Sequence, residues 1–235
     1  MPGFVQCVNV VANFGRFSMT SIILAGGKSS RLGRSKALQV IGSKSLIQWV
    51  IDHLAIFSSE IIVVTANGEP IASSSTIRIK TVADTYSSKS ALVGIYSGLI
   101  ASANPRAIVV GCDMPFLSIG LLKYMAQICS NFDVVVPQLK NKLEPLCAVY
   151  SKNCVAPIRC LLEHNELRIS KLFTLVKAKY VEKDEINRFD PEHLSFFNIN
   201  SGLDLAKARK LAIKKGWLYS GQESDSFSNH LITAS

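Results

Sequence analysis

Acidic residues are scarce in this chain: 17 aspartates and glutamates face 26 lysines and arginines, a formal charge of +9. That imbalance disfavours cationic ligands and suits polyanions, either nucleic acid or a triphosphate with a second phosphorylated substrate. Nucleic acid is the less favoured of the two, because no basic patch is interleaved with the aromatic residues on which single strands stack. Long hydrophobic runs are missing as well. None reaches the roughly 18 residues needed to span a bilayer, so no membrane association is expected of a chain that is 48% hydrophobic. Its six cysteines (Cys7, Cys112, Cys129, Cys147, Cys154 and Cys160) include no Cys-x-x-Cys pair, and several sit inside apolar runs. This argues against a zinc site or a disulfide framework and predicts reduced, buried thiols in a cytoplasmic protein. The four histidines (His53, His164, His193 and His230) gather around no nucleophile, which leaves no Ser/His/Asp or Cys/His constellation to propose. The apolar segment Phe4 to Phe14 lacks both a preceding cationic run and a following small-residue cleavage pattern, so a secretory signal is not expected.

What the chain does have is an alternation of strand-like and helix-like periods. Thr20 to Leu24 and Ile61 to Thr65 are continuous apolar runs, the pattern of strands covered on both faces. Between them Leu46, Ile47, Val50, Ile51 and Leu54 recur at helical spacing, which predicts one βαβ unit with a right-handed crossover. Ile77 to Val82 alternates and reads as a more exposed strand. A helix is expected over Leu92 to Ala103, a third buried strand over Ala107 to Val110, and a helix capped by Ser118 running to about Cys129. Strands at Phe132 to Pro137, Leu146 to Tyr150 and Lys177 to Glu182 come next, with helices near Lys152 to His164 and Ile169 to Val176. A last helix holds Leu203, Leu205, Ala208, Leu211 and Ile213 on one side and Lys207, Arg209, Lys210, Lys214 and Lys215 on a solvated side. The expected organisation is residues 1–18 as an unassigned extension, with Met19 an alternative start, then one domain over 19–216, and a frayed tail over 217–235.

The chemistry concentrates at Leu24-Ala25-Gly26-Gly27-Lys28-Ser29-Ser30-Arg31-Leu32-Gly33-Arg34-Ser35-Lys36, directly after the first strand. Gly26 and Gly27 let backbone N–H groups approach a polyanion closely. Arg31 offers a forked guanidinium and Lys36 a point charge, both suited to phosphate oxygens. Neither the dinucleotide fingerprint nor the P-loop fits, since the glycines fall as Gly26-Gly27-x5-Gly33 with the lysine three residues later. A second feature is Asp113, just past the third buried strand in Cys112-Asp113-Met114-Pro115-Phe116-Leu117. A carboxylate there lies at the carboxyl edge of the sheet, where α/β folds put their ligands, and can serve the Mg²⁺ that travels with a triphosphate. Asn67 and Gly68 end the second strand, Asp84 sits two residues past the alternating one, and a short apolar run leads into Asn198-Ile199-Asn200, all places where Asn, Asp and Gly serve as ordinary turn residues.

The loop resembles Leu-Ala-Gly-Gly-x-Ser-x-Arg-x-Gly-x-x-Lys, the signature of the molybdenum cofactor guanylyltransferases, and matches it at Leu24, Ala25, Gly26, Gly27, Ser29, Arg31, Gly33 and Lys36. The resemblance runs from about Met19 to Lys210. It departs from the family at Ser35, where aspartate is usual, and at Ser90-Ala91-Leu92-Val93-Gly94, where Gly-Pro-Leu-x-Gly is usual. It implies a three-layer α/β/α sandwich around a mostly parallel, Rossmann-like sheet of the nucleotide-diphospho-sugar transferase type. The reaction implied is transfer of GMP from GTP to molybdenum-molybdopterin with release of pyrophosphate, using Mg²⁺, for which Mn²⁺ can substitute. Site residues carried over are Leu24, Ala25, Gly26, Gly27, Lys36, Asn67, Asp84 and Asp113 for nucleotide, and Asp113 for metal. Lys36, Arg31 and Asp113 serve catalysis, and Glu144, Pro145, Asn198 and Asn200 the pterin substrate. Whether Asp84 meets base or ribose stays open at this level. Transient contacts with molybdenum-insertion proteins or apo-molybdoenzymes are implied, with no nucleic acid and no membrane. The competing readings are a cytidylyltransferase acting on molybdopterin or on a sugar or polyol phosphate, and a non-catalytic nucleotide- or nucleic-acid-binding protein.

Overall fold

The computed structural model describes residues 19–26, 36–70, 77–86 and 90–217. The extension over 1–18 and the segment from 218 onward lie outside them.

Strand β1 (Thr20–Leu24) is buried along its whole length and runs between two parallel neighbours, β4 (Glu60–Thr65) and β6 (Arg106–Gly111). Ile22, Ile23 and Leu24 suit burial on both faces, and the buried hydroxyls of Thr20 and Ser21 are bonded to Glu60 Oε2 at 2.8 Å and Ser58 Oγ at 2.5 Å. Beyond β4 lies β5 (Ile79–Ala83), also parallel, whose alternating half-exposed residues mark the edge of the sheet. On the other side β9 (Cys147–Ser151) runs antiparallel to β6 and to β7 (Val134–Leu139). β10 (Ala178–Val181) closes that edge parallel to β7. The order is β10-β7-β9-β6-β1-β4-β5, with β8 (Lys142–Leu143) hairpinned onto β7 and a separate two-stranded hairpin of β2 (Val40–Ile41) and β3 (Lys44–Ser45).

Helices cover both faces. On one, α1 (Leu46–Ala55) and α3 (Ile119–Ile128) pack with α6 (Lys183–Asn187) against Ile23, Ile61, Val63, Ile108 and Val110. The other face, Ile22, Leu24, Ile62, Val64 and Val109, is covered by α2 (Ala91–Ala101), α4 (Val155–Glu163) and α5 (Ile169–Leu172). A third cluster lies beside the first and joins Ile41, Leu46, Phe116 and Ile199 to Ala208 and Ala212 of α7 (Gly202–Lys214). The three-layer, mostly parallel sheet expected from the sequence is therefore present.

Some local expectations need correction. The helix expected over Ile169 to Val176 is only one turn, because Leu175 N–H closes back on Leu172 in a tight turn rather than continuing. In α7 Leu205, Ala208, Leu211 and Ile213 face the core as expected, joined by Ala212, while Leu203 is 76% exposed. The small side chains let the helix lie close to Ile41 and Ile199, and Leu203 falls on the opposite side of the first turn. Four of the described cysteines are buried as expected, but Cys160 is exposed on the outer side of α4. None of the five is paired with another.

Candidate active site

Parallel pairing aligns the carboxyl ends of four strands: Leu24 sits beside Val64 and Gly111, and Thr65 beside Ala83. Ala25-Gly26, Asn67, Asp84 and Asp113 therefore emerge together along one edge, where open α/β sheets bind ligands. The reversal of β9 brings a further segment to the same edge. Val110 pairs with Cys147 at the amino end of β9, so Glu144-Pro145-Leu146, which precedes it, lies at the mouth of β6.

Backbone hydrogen bonds lock these segments to one another. Ala25 N–H donates to Val64 O at 2.8 Å, Cys112 N–H to Leu24 O at 3.1 Å, Gly111 N–H to Leu146 O at 3.2 Å, and Asp84 N–H to Thr65 O at 3.1 Å. Asn67 is exposed on the turn after β4, which Gly68 completes at a φ of +71°. Such a positive φ costs glycine little.

Gly26 faces Asp84. A Cβ on Gly26 would stand 3.4 Å from Asp84 Oδ2 and 3.5 Å from Ala66 N, so the glycine leaves the carboxylate beside bare backbone. Asp84 Oδ1 is buried and has no hydrogen-bond partner, and the same holds for Thr65 Oγ1 on the neighbouring strand end. Burial pushes the Asp84 carboxyl above the ordinary 3.8. A buried acceptor left without a donor is costly, and Asp84 Oδ1 could accept a hydrogen bond from a ligand.

Asp113 is half-buried, and its carboxylate folds back over the end of its own strand. A Cβ on Gly111 would lie only 2.6 Å from Asp113 Oδ1, a contact that would force the carboxylate to move. Its carbonyl oxygen accepts from Ile199 N–H at 3.0 Å. This bond ties the Asn198-Ile199-Asn200 segment to the strand-end aspartate, with Ile199 fully buried. Asn200 is steadied in turn by the capping box of α7, in which Asp204 Oδ2 accepts from the N–H groups of Asn200 and Ser201. Glu144 pairs with Lys142 at 2.9 Å, and Tyr150 Oη donates to Pro145 O at 2.9 Å. Among the described residues no three His, Cys, Asp or Glu side chains form a metal-holding group. The donor set suits Mg²⁺, which takes one or two protein carboxylates and fills its shell with water and phosphate oxygens. Asp113 is placed to be such a ligand.

The structure thus brings together Leu24, Ala25, Gly26, Asp84 and Asp113, with Glu144, Pro145, Asn198 and Asn200 on the Asp113 side and Asn67 next to Asp84. Gly27, Ser29, Arg31 and Gly33 lie outside the described residues. Lys36 is described by its backbone alone, which opens a one-turn 3-10 helix over Lys36–Leu38.

Residues 21–178 match the family described as MobA-like NTP transferase domain. The chain is 34% identical over 196 residues to a probable molybdenum cofactor guanylyltransferase of Pelotomaculum thermopropionicum, covering 82% of this chain and 93% of that one. The chain belongs to the MobA-like NTP transferase family. A second relative, a molybdenum cofactor guanylyltransferase of Desulfosudis oleivorans, is 31% identical, with 85% of this chain and 98% of that one covered. The crystal structure of molybdopterin-guanine dinucleotide biosynthesis protein A from Archaeoglobus fulgidus superposes with a TM-score of 0.71, covering 83% of this chain and all of that one at 23% identity. At that identity the likeness is one of fold.

Within this MobA-like frame two positions carry more than their sequence suggests. Thr65 reads there as the last β-branched residue of a strand, yet its buried hydroxyl is left unpaired at the strand end whose carbonyl holds the Asp84 N–H. Gly111 reads as a strand terminator, whereas its missing Cβ makes room for the Asp113 carboxylate. A glycine two residues before a strand-end aspartate is the sequence signal for that second role.

Proposed function

We propose that this MobA-like enzyme transfers GMP from GTP to the terminal phosphate of molybdenum-molybdopterin, releasing pyrophosphate. A phosphate oxygen of the pterin attacks the α-phosphorus of GTP, the bond from that phosphorus to the α,β-bridging oxygen breaks, and the electron pair leaves with pyrophosphate. No general base is required, because a phosphate monoester is already largely ionised near neutral pH, its second pKa being about 6. The protein's contribution is alignment and neutralisation of charge. Asp84 accepts N1–H and N2–H₂ of guanine with one carboxylate, a pair of donors that adenine and cytosine lack, while Leu24, Ala25 and Gly26 supply close-approaching backbone. Asp113 is the ligand for Mg²⁺, which when bound supplies positive charge to the triphosphate. Lys36 and Arg31 neutralise phosphate charge, and Asn198 and Asn200, able to donate and accept, face the pterin.

The reading is carried by the bond from Ile199 N–H to Asp113 O at 3.0 Å. It joins the segment suited to metal and nucleotide to the amide segment suited to a heterocycle, so two substrates can meet at one aspartate. The relatives' names agree with guanylate transfer. The work is expected in the cytoplasm, with product passed to molybdenum-insertion proteins or apo-molybdoenzymes.

The test is to incubate the full chain with Mg²⁺, molybdopterin and each of the four nucleoside triphosphates, and to identify products by mass. A guanine dinucleotide with stoichiometric pyrophosphate is expected. A cytosine dinucleotide would favour the cytidylyl reading, and no pyrophosphate would favour a non-catalytic binder. Lys36→Ala should cost about 10² to 10³ in rate, the range for a lost electrostatic stabiliser. Turnover at the parent rate would remove Lys36 from the mechanism.

A further inference from the structure

Asp84 has no side-chain partner on Oδ1 to fix its orientation, so its position must be set by the backbone on either side. On the β5 side its own N–H is tied to Thr65 O. On the other side the next residue is held from an unexpected quarter. Ser97, in the middle of α2, accepts from Thr85 N–H at 2.9 Å and bonds Thr85 Oγ1 at 2.9 Å, while its own hydroxyl donates to Val93 O at 3.0 Å. A serine hydroxyl has one proton to give and two lone pairs to receive with. With the proton committed to Val93 O, Thr85 Oγ1 is the donor in the second bond, and all three capacities are used.

The surroundings make this clamp matter. Ser97 is only 4% exposed, on a helix otherwise composed of apolar residues and glycine apart from the Tyr96 hydroxyl, Ala91-Leu92-Val93-Gly94-Ile95-Tyr96-Ser97-Gly98-Leu99-Ile100-Ala101. A buried polar group persists where it is fully bonded, because leaving one unpaired is costly. Helix α2 itself is pinned to the sheet at Gly94 and Gly98, whose missing Cβ atoms let it approach Leu24 and Ile22 closely. The clamp therefore refers the turn after Asp84 to β1, the strand that delivers Ala25 and Gly26. Tyr86 adds an edge-on contact with Tyr96 at 5.6 Å one residue further along.

We propose that Ser97 is a positioning residue for nucleotide selection, holding Thr85 and through it the Asp84 carboxylate at the height of Gly26. The inference rests on the reading of Asp84 as the acceptor of guanine N1–H and N2–H₂. Ser97 touches no substrate; it sets where the carboxylate stands.

The experiment measures binding of Mg²⁺-GTP and Mg²⁺-ITP to the full chain by calorimetry, since ITP differs from GTP only in lacking the 2-amino group. The GTP-over-ITP preference is compared in the parent, Ser97→Ala, Asp84→Asn and the double variant. Ser97→Ala is expected to lower the preference about 3- to 10-fold, the equilibrium equivalent of one hydrogen bond's net worth, and to have no effect on it once Asp84→Asn is present. An unchanged preference in Ser97→Ala, or an equal fall in both backgrounds, overturns the inference, because a merely structural residue would act without regard to Asp84. If Asp84→Asn leaves the preference intact, the base-reading role of Asp84 falls, and the inference with it. Thr85→Val, which removes the hydroxyl leg of the clamp and keeps the backbone leg, should give a smaller fall in the same direction, and covers the case in which Ser97→Ala fails to fold.

Discussion

Asp84 is a liability to the protein without its ligand. Its carboxyl is half-buried, one oxygen has no donor, and burial alone raises its pKa above 3.8. The folded state therefore holds the Asp84 proton more tightly than the unfolded chain does. Below pH 3.8 both states are protonated and the residue is neutral in the balance. As pH climbs through the raised folded value, the native state must ionise a desolvated carboxyl, and stability falls. At neutral pH the penalty is fully present. Asp84→Asn should remove it, so its melting temperature at pH 7 should exceed the parent's, with the gap closing as pH is lowered towards 3.8. The same substitution should weaken Mg²⁺-GTP binding by about 10- to 100-fold, the range for hydrogen bonds to a charged acceptor. A variant that melted higher and bound GTP at full strength would show the unpaired oxygen to be a structural defect instead of a reserved acceptor.

At the scale of elements, the site depends on how closely α2 lies against β1. A Cβ on Gly98 would stand 2.5 Å from Ile22 Cγ2 and 3.0 Å from its Cδ1, and Ile22 is fully buried. Alanine in place of a helical glycine gains about 1 kcal/mol in propensity. Overpacking a core costs about 1 to 3 kcal/mol, and here the buried Ile22 side chain must shift to admit the new methyl. Gly98→Ala is accordingly expected to lower the urea midpoint, whereas propensity alone would raise it. The alternation of strand and helix was legible because continuous β-branched runs and a 3.6-residue period are local signals, as in Ile61 to Thr65 and Leu46 to Leu54. The direction of β9 was not, since Cys147 to Ser151 would read the same parallel or antiparallel. The two-residue strands β2 and β3 are too short to show a period. In α7 the apolar pattern rightly included Ala208 but also Leu203, which is exposed, and it passed over Ala212, which joins the cluster with Ile41 and Ile199. The strand-end positions of Asp84 and Asp113 could be read from the residues before them. Ser97 could not, because a lone serine on an apolar helix gains meaning only when Thr85 is known to reach it.

The whole molecule has a built-in reporter of whether the site and the scaffold behave as one. Of the two tryptophans in the chain, Trp49 on α1 and Trp217 after α7 stack at 4.8 Å and 21°. Trp217 also lies 5.0 Å from Phe116, three residues past Asp113. The third cluster thus spans the C-terminal helix, the hairpin of β2 and β3, and the two segments that meet at Asp113. Tryptophan fluorescence reads this junction, whereas far-UV dichroism reads the sheet and every helix. Because Ile199 is bonded to the segment leaving β6 and fully buried, α7 should not peel away while the sheet survives. The two probes should give coincident urea transitions, the mark of a single cooperative unit. Mg²⁺-GTP at about 100 times its dissociation constant should then move both midpoints together, by about 2.7 kcal/mol of added stability. A fluorescence transition that came earlier, and that nucleotide left in place, would show the C-terminal helix to be an appendage and would detach Asn198 and Asn200 from the nucleotide end of the site.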